Sequence, residues 1–118
     1  MYKQEGKPAL YVVTGFIDFR CGIDSICYKL KAIDPNIDLT SNSAFIFMNK
    51  KKNTVKILYW GGDGFWLIQH RLDESKYYWL EQQNSLEKIN YQQLVWLLDG
   101  LPYIAHKTEK IEKKTLIY

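Results

Sequence analysis

The sequence predicts an α+β fold: a single small domain with one antiparallel β-meander sheet of about four to five strands packed with two helices. Three observations carry this expectation. Short β-branched and aromatic runs follow one another between residues 44 and 80 with only brief polar turns between them. Two further stretches, beginning near residues 24 and 90, place apolar side chains at helical spacing beside capping residues. And 118 residues with 47% hydrophobic and 15% aromatic side chains are enough for one core, and too apolar for a disordered chain.

The elements follow in order. "ALYVVTG" (9–15) reads as a first strand closed by a glycine. "FIDFRCGID" then supplies turn chemistry, and Asp24 stands where a helix N-cap is expected, ahead of Ile26, Leu30 and Ile33 at i, i+4 and i+7. Pro35 disfavours the helical region at Asp34, so that helix ends before "DPN". "AFIFMN" (44–49) is continuously apolar, as a strand buried on both faces would be.

"NKKKN" (49–53) links it to "TVKILYW", in which Val55, Ile57 and Tyr59 alternate with Lys56, Leu58 and Trp60, so the pair forms a hairpin. "GGDG" reverses the chain again, with Gly61, Gly62 and Gly64 expected to supply positive φ, into "FWLIQHRL" (65–72). "KYYWL" (76–80) reads as one more short strand. "NYQQLVWLLDG" (90–100) carries Asn90 and Gln93 in a capping-box spacing, a stripe of Leu94, Leu97 and Leu98, and Gly100 past the last turn. The domain is expected over residues 1–105, followed by a basic C-terminal extension over 106–118.

The totals also exclude several functions. Sixteen basic against thirteen acidic residues leave a net charge of +3, compatible with nucleic acid without requiring it. No apolar run reaches membrane-span length and the opening "MYKQEGKPAL" lacks a signal-peptide core, which points to a cytoplasmic protein with no membrane partner. Cys21 and Cys27, with His70 and His106 distant in sequence, make neither a disulfide framework nor a zinc spacing. Both cysteines read as reduced thiols, and neither a metal nor any other cofactor is expected.

Three clusters bear on chemistry. Asp18, Arg20 and Asp24, with Asp63 further on, offer carboxylates that a metal-dependent nuclease would need; the same residues equally serve as turn and cap groups. No glycine-flanked serine elbow and no phosphate-cradling glycine loop with a following lysine occurs, so no catalytic residue is assigned. Lys50, Lys51 and Lys52 sit on a hairpin tip where all three cannot be buried, and a stiff stem would hold them toward phosphates, with Arg20, Lys56 and Arg71 extending the surface. The same lysines would equally blunt a sheet edge for solubility. The aromatic residues Tyr59, Trp60, Trp66, Tyr77, Tyr78 and Trp79 provide a different candidate, a face that docks on another protein.

Taken in order, "DFRCGIDSI", "AFIFMNKKKNTVKILYWGGDGFWLIQHRLDESKYYW" and "INYQQLVWLLDGL" resemble the TnpB-type accessory protein encoded by the second open reading frame of the insertion-sequence family numbered sixty-six. The resemblance runs from about residue 10 to 103. It is carried by Asp18, Arg20, Gly22 and Asp24, then by Asn49, Lys56, Ile57, Leu58, Trp60, Gly62, Gly64, Arg71 and Leu72. This chain departs from the usual pattern at Cys21, where the family shows a lysine, and at Gly61, where it shows an acid.

The resemblance implies a non-catalytic accessory role in DNA transposition, beside a separate transposase that cuts and joins the strands. The expected partners are DNA at the element ends, contacted through Arg20, Lys50, Lys51, Lys52, Lys56 and Arg71, and the transposase of the same element. A second copy of the chain is the further candidate partner.

Overall fold

Two polar turns join three consecutive strands that form one side of the sheet. At the first, Asn49 acts as a hub: its side-chain oxygen accepts from the backbone N–H groups of Asn53 and Thr54, and its amide donates to Asn53 Oδ1. At the second, Gly61 N–H donates to the Gly64 carbonyl over 2.8 Å while Gly62 takes a φ of +95°. Of the three glycines expected to need positive φ, only Gly62 adopts it; one left-handed residue suffices to reverse the chain here.

The computed structural model describes residues 6–18, 20 and 22–103. Its elements are β1 (Ala9–Val13), α1 (Ile23–Ile33), β2 (Ser43–Met48), β3 (Thr54–Trp60), β4 (Phe65–Arg71), β5 (Leu86–Ile89) and α2 (Tyr91–Leu98). The extension expected at 106–118, Cys21 and His106 lie outside the described residues.

The α+β class, the two helices and a single sheet of five strands match the expectation, with strand order β4-β3-β2-β1-β5. The sheet is mixed, however, not a purely antiparallel meander. β1 runs parallel to β2, with Ala9 opposite Ser43 and Val12 opposite Ile46, because α1 carries the chain back before β2 begins. The remaining ladders are antiparallel.

The "KYYWL" segment is not a strand. Its backbone is spent elsewhere: Tyr77 N–H donates to Lys52 and the Leu80 carbonyl accepts from Gly15. The fifth strand is the more polar "LEKI", pairing with β1 from Leu10↔Ile89 to Val13↔Leu86.

Each face of the sheet holds its own core. On one, Leu10, Val12, Ile46, Met48 and Val55 pack with Tyr77, Trp79, Leu97 and Tyr103 beneath α2. On the other, Phe45, Phe47 and Leu58 pack with Ile26, Leu30 and Leu39 beneath α1. All six residues of β2 are buried, as its unbroken apolar run predicts.

The helix ends show how local chemistry sets the boundaries. Asn90 and Gln93 form the expected reciprocal capping box of α2, and Gly100 follows it at φ +81°. For α1 the expectation is corrected: the N-cap is Gly22, without a side-chain bond, and Asp24 lies inside the first turn, where its charge favours the helix dipole.

Candidate nucleic-acid interface

The end of the sheet where β2 passes to β3 gathers Arg20, Lys50, Lys51, Lys52, Lys56 and Arg71. Ile17 N–H donates to the Met48 carbonyl over 3.0 Å, which lays the segment after β1 against the end of β2. Arg20 is thereby brought to the lysine turn. An open groove of about 810 Å³ lies between them, lined by Phe16, Ile17, Asp18, Arg20, Asn49, Lys50 and Lys51. Its floor is aromatic and aliphatic, and its rim carries three cations and one carboxylate.

Asp18 organises the rim. Its carboxylate accepts from Arg20 Nε at 3.0 Å and from Nη2 at 2.6 Å, and from the Arg20 backbone N–H at 2.9 Å. The hydrogen bonds from Arg20 hold its pKa down at about 2, with the Lys29 charge adding to the effect. This pair fixes the guanidinium, whose side chain is 90% exposed.

The turn itself is less like a projecting arm than the sequence suggests. Lys50 and Lys51 are exposed and line the groove. Lys52 adopts φ +61° and turns back, its ammonium paired with Glu81 and its carbonyl accepting from Tyr77. The turn is braced on this side by the chain that follows β4, since Leu72 N–H also donates to Asn53.

Lys56 and Arg71 share the α1 face of the sheet. Register sets Lys56 opposite Phe47 and Gln69, and Arg71 opposite Thr54, the first residue after the lysine turn. Both therefore stand at the same end of the sheet as Lys50 and Lys51. Lys56 is half-buried and Arg71 exposed.

One cation escaped the sequence reading. Lys29 of α1 lines an adjoining groove of about 470 Å³ with Phe16, Ile17 and Asp18. The signal was present in the helical pattern, since Lys29, three residues after Ile26, stands on the flank of the Ile26, Leu30 and Ile33 stripe, where a long cationic side chain reaches solvent beside the apolar face.

The other candidate clusters are not assembled in this way. Asp63 sits in the β3–β4 turn at the opposite end of the sheet from Asp18, whose carboxylate is already engaged by Arg20. Among the described residues no group of three or more His, Cys, Asp or Glu is placed to hold a metal ion. Cys27 is a free, half-buried thiol with its pKa raised by burial and by the charge of Asp24. His70 bonds the Tyr77 hydroxyl through Nδ1. Of the aromatic set, Tyr59, Tyr77 and Trp79 belong to the core, Trp60 packs edge-on to Phe65, and Trp66 and Tyr78 are exposed.

The comparison with known families decides the assignment. Residues 8–108 match the model of the IS66 Orf2-like proteins. The chain belongs to the IS66 Orf2-like family. Membership ties it to insertion-sequence transposition in an accessory role, within a family that is generally non-catalytic. This IS66 Orf2-like chain is also similar to the uncharacterized protein y4hO of Sinorhizobium fredii (strain NBRC 101917 / NGR234), at 27% identity over 94 residues, covering 80% of this chain and 81% of that one. No solved structure matches it. No helix among the described residues is long and apolar enough to cross a membrane.

Proposed function

We propose that this IS66 Orf2-like chain assists transposition by gripping the phosphate backbone of DNA at the element ends, in the cytoplasm and beside the transposase of the same element. The observation that carries the reading is the convergence of Arg20, Lys50 and Lys51 on one open groove, with Lys29 on its flank. Lys56 and Arg71 continue the positive surface at the same end of the sheet, while Lys52 braces the turn through Glu81 and contributes little contact. Phosphate contacts of this kind position a protein on a duplex without reading sequence. The chain makes and breaks no covalent bond in this role; cutting and joining stay with the transposase.

Fluorescence anisotropy on duplex DNA across a salt series tests the reading. Each phosphate contact removed lowers the slope of log affinity against log salt by about 0.9. The Lys50→Glu/Lys51→Glu variant should therefore bind more weakly and with a flatter slope. Equal affinity and equal slope for variant and parent would leave the groove a solvated turn.

A further inference from the structure

β4 is an edge strand of a kind that proteins normally protect. It is seven residues long, contains no proline or lysine, and exposes Trp66 (51%) and Ile68 (47%) on the α2 face. Long apolar edges without such protection template pairing with another strand. The direction of its backbone groups follows from its neighbours. Leu72 donates its N–H inward to Asn53, and Gly64 offers its carbonyl inward to Gly61. Even-numbered positions thus bond toward β3, and the odd-numbered Phe65, Leu67, Gln69 and Arg71 turn their N–H and C=O groups away from the sheet. Those outward groups have no backbone partner among the described residues.

We propose that β4 pairs antiparallel with β4 of a second copy about a two-fold axis at Leu67, joining two five-stranded sheets into one. Only registers that set odd positions against odd positions satisfy the outward groups, and near the middle of this strand the two-fold axis can then lie at Leu67, Ile68 or Gln69. With the axis at Leu67, Phe65 faces Gln69 of the second copy in hydrogen-bonded pairs, and Trp66 faces its Ile68 in the intervening pairs. Side chains in those non-hydrogen-bonded pairs approach most closely. The two exposed apolar residues of each copy then cover those of the other, extending the existing cross-strand rows Tyr59–Trp66 and Ile57–Ile68.

Charge selects between the registers. The axis at Leu67 sets Asp63 of each turn against Arg71 of the second copy, two opposite-charge pairs. An axis at Ile68 sets Asp63 against Asp73, and one at Gln69 sets Arg71 against Leu67 and Asp63 against Ser75, so neither forms an opposite-charge pair. Neither Asp63 nor Arg71 has an ion-pair partner among the described residues. The isologous arrangement is the one a closed dimer requires. It is independent of the nucleic-acid reading except that it assigns Arg71 to the subunit contact.

Sedimentation velocity on the full chain over a concentration series tests this. The parent chain should form a dimer, and Asp63→Arg or Arg71→Asp alone should weaken it about tenfold, since each change breaks two symmetric pairs and sets like charges together. The double variant Asp63→Arg/Arg71→Asp should restore it. Gln69→Pro removes an N–H that points only at the second copy, a position where an edge strand accepts proline, and should leave a folded monomer by circular dichroism. A parent chain that stays monomeric throughout, a double variant no better than its singles, or a Gln69→Pro dimer as tight as the parent would each overturn the proposal.

Discussion

Trp79 donates its indole Nε1–H to the Gly15 carbonyl over 2.7 Å, a buried bond between residues 64 apart in sequence. It fastens the chain that follows β4 to the end of β1, directly before Phe16, which lines the cationic groove. Gly15 itself has φ +75°, and a Cβ there would meet the Gln82 carbonyl oxygen at 2.5 Å and Asn84 Nδ2 at 2.7 Å. Gly15→Ala is therefore expected to cost about 3 kcal/mol, from left-handed strain plus a clash with backbone, read as a fall in the urea midpoint at unchanged m-value. A loss under about 0.5 kcal/mol, the ordinary range for a surface change, would mean that the junction yields.

The Asn49 hub supports the lysine turn by accepting two backbone N–H groups. Asn49→Ala leaves those donors without their acceptor and should destabilise the protein by about 1–2 kcal/mol. Hydrogen exchange should quicken at the Asn53 and Thr54 amides while the β1–β5 ladder stays protected. Uniform acceleration across both regions would show that the turn is not a separable unit.

On the proposed reading, Asp18 competes with phosphate for Arg20. Asp18→Asn releases the guanidinium from its charged partner and removes a negative charge from the groove rim, so affinity for duplex DNA should rise, by roughly threefold for an exposed pair. A fall in affinity in the same anisotropy assay would mean that the groove needs Arg20 held in its present position.

The same pair titrates in acid. Asp18 has its pKa lowered from 3.8 to about 2 by the hydrogen bonds from Arg20. A carboxylate depressed in the folded state favours folding above its unfolded pKa, and that contribution fades as pH falls from about 4 through about 2. NMR titration of the Asp18 side-chain carboxyl should give a midpoint near the lower value, and Arg20→Gln should move it upward. An unchanged midpoint in Arg20→Gln would refute the pairing in solution.

Tyr103 is buried beneath α2 with a hydroxyl that has no hydrogen-bond partner among the described residues, the Leu80 backbone acting on it from outside hydrogen-bond geometry. Burial drives its pKa well above the usual phenol range. Tyr103→Phe removes an unsatisfied polar group at constant shape, so it should be neutral or stabilising by up to about 1 kcal/mol in urea unfolding. A loss of stability would reveal a partner for the hydroxyl.

Local signals were legible in the sequence to the extent that their physics is local. Asn90 and Gln93 announce α2 because both halves of a capping box lie within one turn, and Pro35 ends α1 through the residue before it. The hairpins of β2, β3 and β4 are written in their alternation and short turns. What was missed depends on distant partners. The parallel pairing of β1 with β2 and the choice of polar "LEKI" over aromatic "KYYWL" as fifth strand are decided by which backbone groups meet across the fold, and side-chain periodicity is silent on that.

The site was legible in the same way. Lys50, Lys51 and Arg20 were identifiable as exposed cations, and their meeting at one groove rests on the Ile17–Met48 bond, which no spacing encodes. Lys52 was expected to point outward with its neighbours. A left-handed backbone at that residue and the acid of Glu81, 29 positions later, send it the other way.

The position of β1, between β2 and β5, has a consequence for biosynthesis. The first strand to leave the ribosome takes one neighbour from residues 43–46 and the other from residues 86–89, so it is made early and enclosed late. The β2–β4 hairpins can form as soon as they emerge, while Ala9–Val13 waits with its apolar side chains open to chaperones or to other nascent chains. A message broken before the codon for Leu86 would yield a product whose flank at β1 is bare, which makes truncation more hazardous to this protein than its small size suggests.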